Sequence, residues 1–264
     1  MTSMASDDID ARVPELLEPL SCSSSCVMNF VAGDWAGSGN WTATNGVDIN
    51  SDPYVGVYNG TVTRATSSIF HSVKYVGGWS SANYFKVTSD TNFNVNGTDT
   101  TYEFVLENLP ATASVSWFGY ITSGNDGGRW FYTQTTNRLD IEIANTSAGA
   151  YLGGISGNNT YTTDKPILIT ATFKVSPPPG SERGRLYING TQHTGGVFPD
   201  STTSGAPKNE ACALGIGGRW SCNANSLSSP NANIRIVQVL HHSRLMGDSE
   251  IATRAEQFNR LKGY

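Results

Sequence analysis

The stretch ILITATFKV, residues 167–175, decides the fold class. Apolar side chains alternate along it with Thr170, Thr172 and Lys174. Because successive side chains of a β-strand point to opposite faces, this alternation predicts an antiparallel strand with one face on a core and the other in solvent. The stretch is therefore interpreted as a core strand of a β-sandwich.

A hairpin is predicted next along the chain. The segment RLYI at residues 185–188 has the composition of a short strand, and TQH at 191–193 follows after the pair Asn189-Gly190. Asn-Gly pairs favour the positive φ angles of two-residue type I′ turns, so a hairpin is expected here. The other Asn-Gly pairs, which indicate further turns, are Asn45-Gly46, Asn59-Gly60 and Asn96-Gly97.

The rest of the chain fits an all-β protein. Segments YEFVL at residues 102–106 and RLDIEI at 138–143 also alternate, and the region 195–209, rich in Gly, Ser, Thr and Pro, is predicted to be a long loop at the sheet rim. Charged residues make up only 15% of the sequence, which is typical of short strands joined by polar turns. A chain of 264 residues needs no second core, so one two-sheet sandwich is predicted over residues 27–264.

The two ends of the chain differ from the sandwich. Residues 1–26 mix acidic and apolar side chains with Pro14 and Pro19, which predicts an N-terminal arm that contacts other protein subunits. Near the other end, Asp248 can cap a short helix over about residues 248–262. The apolar residues that recur there at three- and four-residue steps are Ile251, Ala255, Phe258 and Leu261.

Charge and hydropathy exclude several classes of partner. The formal net charge of −5 provides no basic surplus for nucleic acid or for an anionic membrane surface. No apolar run reaches the length of about 18 residues that suggests a transmembrane helix. Residues 1–8, MTSMASDD, lack the basic and apolar regions of a signal peptide, so classical secretion is not expected. The expected location is a virion surface if the protein is viral, and otherwise the cytoplasm or the outside after non-classical export.

The cysteines are too few for a disulfide framework in a domain of this size. A zinc site would need closer spacing within both pairs, and only Cys22 and Cys26 come near it. Reduced buried thiols are the favoured interpretation of Cys212 and Cys222, while a local cross-link between them stays open in an oxidising compartment. No cofactor is predicted, and bound Ca²⁺ has no supporting motif.

Four segments of the second half resemble, in order, the C-terminal half of laminin-G-like and pentraxin-like modules. They are GRLYING at 184–190, LGIG at 214–217, NIRIVQV at 233–239 and LMGDSEI at 245–251. The chain is thus similar to the concanavalin A-like superfamily, and this resemblance implies an antiparallel jelly-roll sandwich. It does not imply a function, because the superfamily holds lectins, glucanases, adhesion modules and viral surface proteins.

The resemblance also allows a test for catalysis. Laminarinase-type enzymes of the superfamily carry Glu-x-Asp-x-Glu on one strand, which places three carboxylates on one face. Here Asp140 and Glu142 match the second and third positions, but Arg138 stands where the nucleophile belongs. Because arginine cannot attack an anomeric carbon, retaining hydrolysis at this site is excluded. Three interpretations of Asp140 and Glu142 remain: a solvated charge ladder with Arg138, a pair of carboxylates that bind a ligand or a cation, and catalysis of an unrecognised kind.

Aromatic residues offer the better clue to binding. Two aromatic segments, 117–120 and 130–132, are predicted to form a hairpin around the loop 122–129, and rings that face outward can stack on sugars. The alternative is that most of these rings fill the core. The motif Gly-Gly-Arg-Trp occurs at 127–130 and again at 217–220, and it would form a recognition surface if both copies lie on one rim. The predicted ligand-binding residues are Trp130, Arg129, Trp220, Arg219, Asp140, Glu142 and Tyr120.

These observations favour a non-enzymatic structural or recognition module of a larger assembly, such as the tail, fibre or capsid decoration of a virion. Its expected partners are other subunits, in a homo-oligomer or a hetero-assembly, and glycans. A free carbohydrate-binding lectin is one alternative, and a divergent glycoside hydrolase or polysaccharide lyase is another.

Overall fold

The computed structural model describes residues 20–22, 25–47, 53–70, 73–87, 99–111, 115–121, 128–134, 137–143, 154–155, 161–174, 182–199 and 212–262. The strands are β1 Cys26–Val31, β2 Trp41–Val47, β3 Pro53–Asn59, β4 Thr63–Thr66, β5 Lys74–Gly77, β6 Tyr84–Val87, β7 Thr100–Asn108, β8 Val115–Ile121, β9 Gly128–Gln134, β10 Arg138–Ile143, β11 Gly154–Ile155, β12 Ile167–Phe173, β13 Glu182–Ile188, β14 Thr191–Pro199, β15 Leu214–Ile216, β16 Arg219–Ser221, β17 Ser226–Ser228 and β18 Arg235–His242. The helix α1 spans Asp248–Leu261.

The strands form two sheets. Sheet A has the order β14–β13–β12–β7–β18, and both β1 and β5 pair with the far edge of β18. Sheet B has the order β2–β3–β6–β15–β8–β9–β10–β11, with β16 running parallel to the end of β8. The sheets join at a corner where Asn29 of β1 pairs with Asn45 of β2. The all-β two-sheet sandwich with a C-terminal helix is confirmed, whereas residues 1–19 of the predicted arm lie outside the described residues.

Aromatic rings fill the space between the sheets. The ring of Phe104 on β7 lies 4.6 Å from that of Phe131, 5.3 Å from Phe118 and 5.9 Å from Trp117, all on sheet B. These four side chains are fully buried, and each such burial stabilises the fold by about 1.5–3 kcal/mol. For these rings, filling the core is the correct interpretation of the aromatic segments, and β8 and β9 pair as predicted.

The outer face of sheet A is also buried, which the alternation of residues 167–175 did not predict. Both Leu168 and Thr170 are 0% exposed, so the expected solvent-facing side of β12 is wrong. The reason is α1, whose apolar stripe contacts this face. The second cluster that results comprises Leu20, Phe70, Val105, Leu168, Val237, Leu240, Ala255, Phe258 and Leu261.

The helix begins differently from the prediction. Its N-cap is Gly247, which makes no side-chain capping bond, and Asp248 is the first helical residue. The carboxylate of Asp248 accepts a hydrogen bond from the Tyr187 hydroxyl at 2.7 Å. The predicted helix and its apolar periodicity are confirmed, but the capping role of Asp248 is wrong because Tyr187 of sheet A binds this carboxylate.

The hairpin at Asn189-Gly190 is confirmed, with φ angles of 51° and 81° between β13 and β14. A Cβ atom on Gly190 would lie 2.4 Å from that of Ala255, so glycine also lets the turn approach α1. The pair Asn45-Gly46 makes no turn, since it lies within β2. At Asn59-Gly60 the chain turns with a φ of 77° but passes from β3 of sheet B to β4 of sheet A, so no hairpin forms.

Two other predictions concern the same parts of the chain. The pair Asn96-Gly97 lies outside the described residues. Residues 195–199 belong to β14 and are not loop, because they pair with β13, while 200–209 are outside the described residues.

Two disulfides close short loops. Cys22 is bonded to Cys26 and Cys212 to Cys222, with Cα atoms 5.6 and 5.8 Å apart. The interpretation of Cys212 and Cys222 as reduced thiols is wrong, because the turn between β15 and β16 brings them side by side. No helix in the described ranges is both long and apolar enough to cross a bilayer.

Candidate functional site

All seven predicted ligand-binding residues lie on four neighbouring strands of sheet B. In one cross-strand row, Tyr120 of β8 pairs with Trp220 of β16 on one side and Arg129 of β9 on the other. In the next row, Trp130 pairs with Gly119 of β8 and with Glu142 of β10. Residues 128–130 of the first Gly-Gly-Arg-Trp motif and Trp220 of the second therefore flank the same end of β8. The side chains of Arg129, Trp130 and Glu142 lie outside the described residues, so the structure gives only their backbone register.

Asp140 is paired and buried. Its Oδ1 accepts a hydrogen bond from Arg138 Nε at 2.8 Å, and its side chain is 1% exposed. The carboxylate is thus not part of a ladder in solvent, because Arg138 lies over it. Its Oδ2 has no hydrogen-bond partner among the described residues, and such a buried acceptor costs about 1–3 kcal/mol.

Tyr120 and Trp220 are each 3% exposed, so neither ring presents a face for a sugar to stack on. The Trp220 ring lies 5.4 Å from the ring of Tyr84, and the Nζ of Lys86 sits 4.5 Å from its centre. A cation over an indole is attracted to the ring quadrupole by about 0.5–2 kcal/mol. The Trp220 ring therefore packs against both Lys86 and Tyr84. Arg219 is partly exposed, and its Nε donates to Ser228 Oγ at 3.2 Å.

The hairpin of β16 and β17 packs closely on the sheet because glycines make room for Leu227. A Cβ atom on Gly215 would lie 2.6 Å from Leu227 Cδ1, and one on Gly218 would lie 2.8 Å from Leu227 Cδ2. The disulfide Cys212–Cys222 ties this hairpin to the start of β15. The sequence motif Gly-Gly-Arg-Trp at 217–220 is thus explained by close packing of the hairpin on the sheet.

Two partly exposed residues of β6 complete this surface and were missed in the sequence. Tyr84 and Lys86 alternate with the buried Phe85 and Val87, so they face away from the core. Lys86 Nζ also contacts Asn225 Oδ1 at 3.4 Å. We call Tyr84, Lys86 and Asn225 the β6 ledge. The alternation of YFKV at 84–87 was the signal that could have found it.

A second notable region lies on sheet A, at the base of the predicted arm. The side-chain amide of Gln238 pairs with the backbone of Leu20: its Oε1 accepts from Leu20 N at 2.9 Å, and its Nε2 donates to Leu20 O at 2.8 Å. Leu20 itself is 1% exposed in the cluster beneath α1. Arg254 donates to the carbonyl of Ser21, and Cys22 is cross-linked to Cys26 of β1. Residues 20–22 are therefore fixed to the sandwich at several points.

The same region holds a buried charge network. Arg254 of α1 binds both carboxylate oxygens of Glu103 on β7 through Nε at 3.0 Å, and His242 Nε2 lies 3.1 Å from Glu103 Oε2. Burial alone would raise the pKa of Glu103, but the hydrogen bonds with His242 and Arg254 outweigh it and lower that pKa below 4.5. His241 and His242 both lie within β18. The network therefore fastens α1 to sheet A.

Neither region has the ligands of a metal site. Within the described ranges, no three His, Cys, Asp or Glu side chains cluster closely enough to hold a metal ion.

Comparisons with known proteins bear on the fold. The sequence matches no protein family and no curated protein. Among solved structures, it is similar to the binding domain of botulinum neurotoxin DC in complex with rat synaptotagmin II, at 12% identity and a TM-score of 0.60 over 90% of this chain and 52% of that chain. The binding domain of Paraclostridial Mosquitocidal Protein 1 gives 13% identity and 0.61 over 89% and 51%. The ligand-binding domain of botulinum neurotoxin serotype D in complex with N-acetylneuraminic acid gives 11% and 0.60 over 88% and 50%.

The fold is shared with these toxin binding domains. At such low identity the likeness concerns the β-sandwich alone, and the chain spans about half the length of the solved structures that it matches. Membership of the concanavalin A-like superfamily itself, and its laminin-G and pentraxin-like branches, stays a prediction.

Proposed function

We propose that this chain is a non-enzymatic recognition module that a larger assembly holds through the N-terminal arm. The observation that carries the proposal is the clamp at the base of the arm, where Gln238 and Arg254 bind the backbone of Leu20 and Ser21. Because the base of the arm is fixed to the sandwich, a partner that binds the arm also holds the sandwich in a defined position. The same proposal includes the boundary between the two parts of the chain. Residues 1–26 form the arm, and the sandwich follows.

The recognition surface we propose is the outer face of sheet B around the β6 ledge. In the described part of the chain, α1 and residues 20–22 occupy the outer face of sheet A. On sheet B, by contrast, Val57 is 45% exposed and pairs with Lys86, which is itself partly exposed. A surface with an aromatic ring, an ammonium group and an amide suits a polar ligand such as a glycan.

The absence of enzymatic activity is supported by the state of Asp140. This carboxylate is bound to Arg138 and buried, so it is not available as an acid or base toward a substrate in solution. A divergent hydrolase or lyase would need Glu142 to act without it. Release of reducing sugar from β-glucans by the wild type, abolished in Glu142→Gln, would contradict the proposal.

The compartment we propose is oxidising. Disulfides persist on virion and cell surfaces and outside cells, and are rare in a reducing cytoplasm. The bonds Cys22–Cys26 and Cys212–Cys222 therefore favour a virion surface or export over the cytoplasm. A tail, fibre or capsid decoration of a virus particle fits both parts of the proposal, because it belongs to a larger assembly and it is exposed to an oxidising compartment.

Sedimentation tests the assembly role. The full chain should sediment above the 28.3 kDa of one copy, alone or with its partner subunit, and deletion of residues 2–18 should abolish this without lowering the melting temperature. The deletion leaves the clamp at Leu20 in place, so loss of assembly cannot be attributed to unfolding. The double variant Leu16→Ser, Leu17→Ser keeps the length of the arm and should act like the deletion. Unchanged sedimentation of both variants would refute the role of the arm.

A free carbohydrate-binding lectin is the second candidate, and the β6 ledge is the observation that favours it. One similar solved structure is a toxin domain in complex with N-acetylneuraminic acid, a sugar. On a glycan array, Tyr84→Ala and Lys86→Ala should each weaken binding about tenfold, as should Trp130→Ala if that ring contacts the ligand. Lys74→Ala on sheet A is the matched control and should bind as the wild type does. If Tyr84→Ala, Lys86→Ala and Trp130→Ala all bind as the wild type does, the proposed recognition surface is refuted.

A further inference from the structure

A cleft of about 310 Å³ lies where the start of β12, the turn between β13 and β14, and the C-terminal end of α1 meet. Ile69 lines it and is 42% exposed, and in the described residues only Val57 is another large hydrophobic side chain with such exposure. Ile167 and Ile188 continue the apolar lining. The lining therefore suits a compact apolar occupant.

The lysines of the cleft do not by themselves define a ligand. The Nζ of Lys262 lies 4.7 Å from the centre of the Phe258 ring, so this ammonium group already has a partner. Lys165 is exposed to solvent. None of the described lining residues is acidic. An occupant can accordingly carry carboxylates at its edges without meeting a like charge, while its main contact with the cleft is apolar.

The arm begins beside this cleft. Leu20, the first described residue, is buried in the cluster beneath α1, which also contains Phe70, Leu168 and Leu261. Each of these three is the neighbour in sequence of a residue that lines the cleft. Those neighbours are Ile69, Ile167 and Lys262. Leu20 therefore packs against the side chains that adjoin the cleft lining.

The contacts at the base of the arm also give the direction of the chain. The carbonyl of Ser21 accepts a hydrogen bond from Arg254, whereas Leu20 shares a cluster with Phe258 and Leu261, which lie further along α1. One step back along the arm is thus a step toward the C-terminal end of α1, where the cleft lies. Three extended residues span up to about 10 Å, so Leu17 can reach the cleft from Leu20.

A buried acceptor without a partner lies along this path. Gln257 follows Arg254 by three residues, so the two side chains lie on the same side of α1. The Oε1 of Gln257 is buried and has no hydrogen-bond partner among the described residues. Buried carbonyl oxygens normally accept a hydrogen bond. Because Pro19 has no backbone N–H, the nearest donor upstream of Leu20 is the amide of Glu18.

The sequence of the arm suits the cleft. Residues 14–18, PELLE, place Leu16 and Leu17 between the carboxylates of Glu15 and Glu18. Residues 1–19 contain five acidic residues and one arginine, so they carry a net charge of −4 out of −5 for the whole chain. The two leucines match the isoleucine lining, and the acidic flanks match a cleft that has lysines and no described acidic residue.

We propose that residues 14–18 dock in the cleft of the same chain, with Leu16 and Leu17 on the isoleucine lining and the Glu18 amide on Gln257. The docked segment fixes the direction in which residues 1–13 leave the molecule toward a partner, so this inference rests on the proposed role of the arm. Ordering five residues offsets much of the apolar gain. The segment therefore leaves the cleft well below the melting temperature of the sandwich, and its deletion does not change that temperature.

The neutral fluorescent probe N-phenyl-1-naphthylamine tests whether the cleft is covered. The variant that lacks residues 2–18 should bind it about tenfold more tightly than the wild type, because a segment docked about nine-tenths of the time lowers the apparent affinity by that factor. Leu16→Ser with Leu17→Ser should bind as the deletion does. Ile9→Ser, outside the docking segment, should bind as the wild type does. Ile69→Gln in the deletion variant should abolish the gain, which locates the probe in the cleft.

A peptide supplies the segment separately. The peptide RVPELLEP, residues 12–19, should displace the probe from the deletion variant, and the same peptide with serine in place of both leucines should not. Equal or absent probe binding in wild type and deletion variant, or failure of the peptide, would overturn the proposal. So would protection of the wild type that appears only at concentrations where the chain self-associates, because the segment would then come from a second copy. None of these results decides the sedimentation test of the arm, so the two proposals can fail separately.

Discussion

Replacing Arg254 with Met should destabilise the protein more than any surface substitution on α1. The Glu103 carboxylate is 0% exposed, and Arg254 Nε lies 3.0 Å from each of its oxygens. Loss of Arg254 leaves the buried Glu103 carboxylate with His242 but without its arginine partner, and breaking a buried pair costs about 3–5 kcal/mol. For a domain of this size, that loss corresponds to a fall in melting temperature of about 6–20 °C.

The loss should depend on pH in a defined direction. In the wild type the pKa of Glu103 is lowered on folding, so the pair contributes its stability above about pH 4.5 and loses it as the pH falls through the folded-state pKa. Without Arg254, less opposes the effect of burial, which raises the pKa of Glu103. The carboxylate of the variant therefore binds a proton at a higher pH than that of the wild type. The difference in stability between wild type and variant should therefore be largest near pH 7 and narrow toward pH 4.5.

Urea denaturation at pH 7 and at pH 5 measures this difference directly. Arg260→Met, which changes an exposed arginine of the same helix, is the control and should cost no more than about 1 kcal/mol. The double variant Glu103→Gln, Arg254→Met should recover part of the lost stability, because no buried charge is left alone. A cost below about 1 kcal/mol at pH 7 for Arg254→Met, or a gap that widens as the pH falls, would refute the reasoning.

Two further predictions concern the β15–β16 turn. Gly217→Ala should lower the free energy of unfolding in urea by about 2–5 kcal/mol, because the φ of Gly217 is +91° and a Cβ atom would lie 2.0 Å from the Trp79 ring. The control Gly33→Ala, where the nearest contact of a Cβ atom is 3.9 Å, should lower it by less than about 1 kcal/mol. Cys212→Ser with Cys222→Ser should lower stability by about 3 kcal/mol, as expected for a bond across 10 residues, and a melting temperature that ignores both the double variant and reduction by dithiothreitol would contradict the cross-link.

The sequence predicted the fold where local signals agree with tertiary contacts. The alternation of residues 167–175, the Asn189-Gly190 turn and the apolar steps of α1 each correspond to an element of the structure. These features depend on strand and helix periodicity or on a positive φ, and both can be predicted from neighbours in the chain.

Long-range packing could not be predicted in the same way. The polar side of β12 indicated a strand face in water, but α1, about 80 residues further on, covers it. Asn45-Gly46 has the turn signal and yet lies in a strand, where Asn45 pairs with Asn29 of β1. The cross-link between Cys212 and Cys222 depends on the turn that joins β15 to β16, which no spacing rule identifies.

The sequence predicted which residues come together on sheet B, while their role in binding stays a prediction. The predicted residues do fall on adjacent strands, since motifs on neighbouring strands at one end of a sheet come together once the register is set. Which rings are buried was not predictable, because the burial of Trp220 depends on contacts with Tyr84 and Lys86, which lie on a distant strand in the sequence. The sequence did not predict the β6 ledge, because an alternation of only four residues is a weaker signal than the aromatic segments.

Hydrogen exchange at the base of the arm tests the central claim most directly. If residues 20–22 are rooted in the sandwich, the Leu20 amide, which donates to Gln238 at 2.9 Å, should exchange as slowly as the amides of β7 and β18, and Gln238→Ala should expose it while those strands stay protected. A Leu20 amide that exchanges within seconds in the wild type would show that the arm is not fixed to the sandwich and would contradict the proposed mode of assembly.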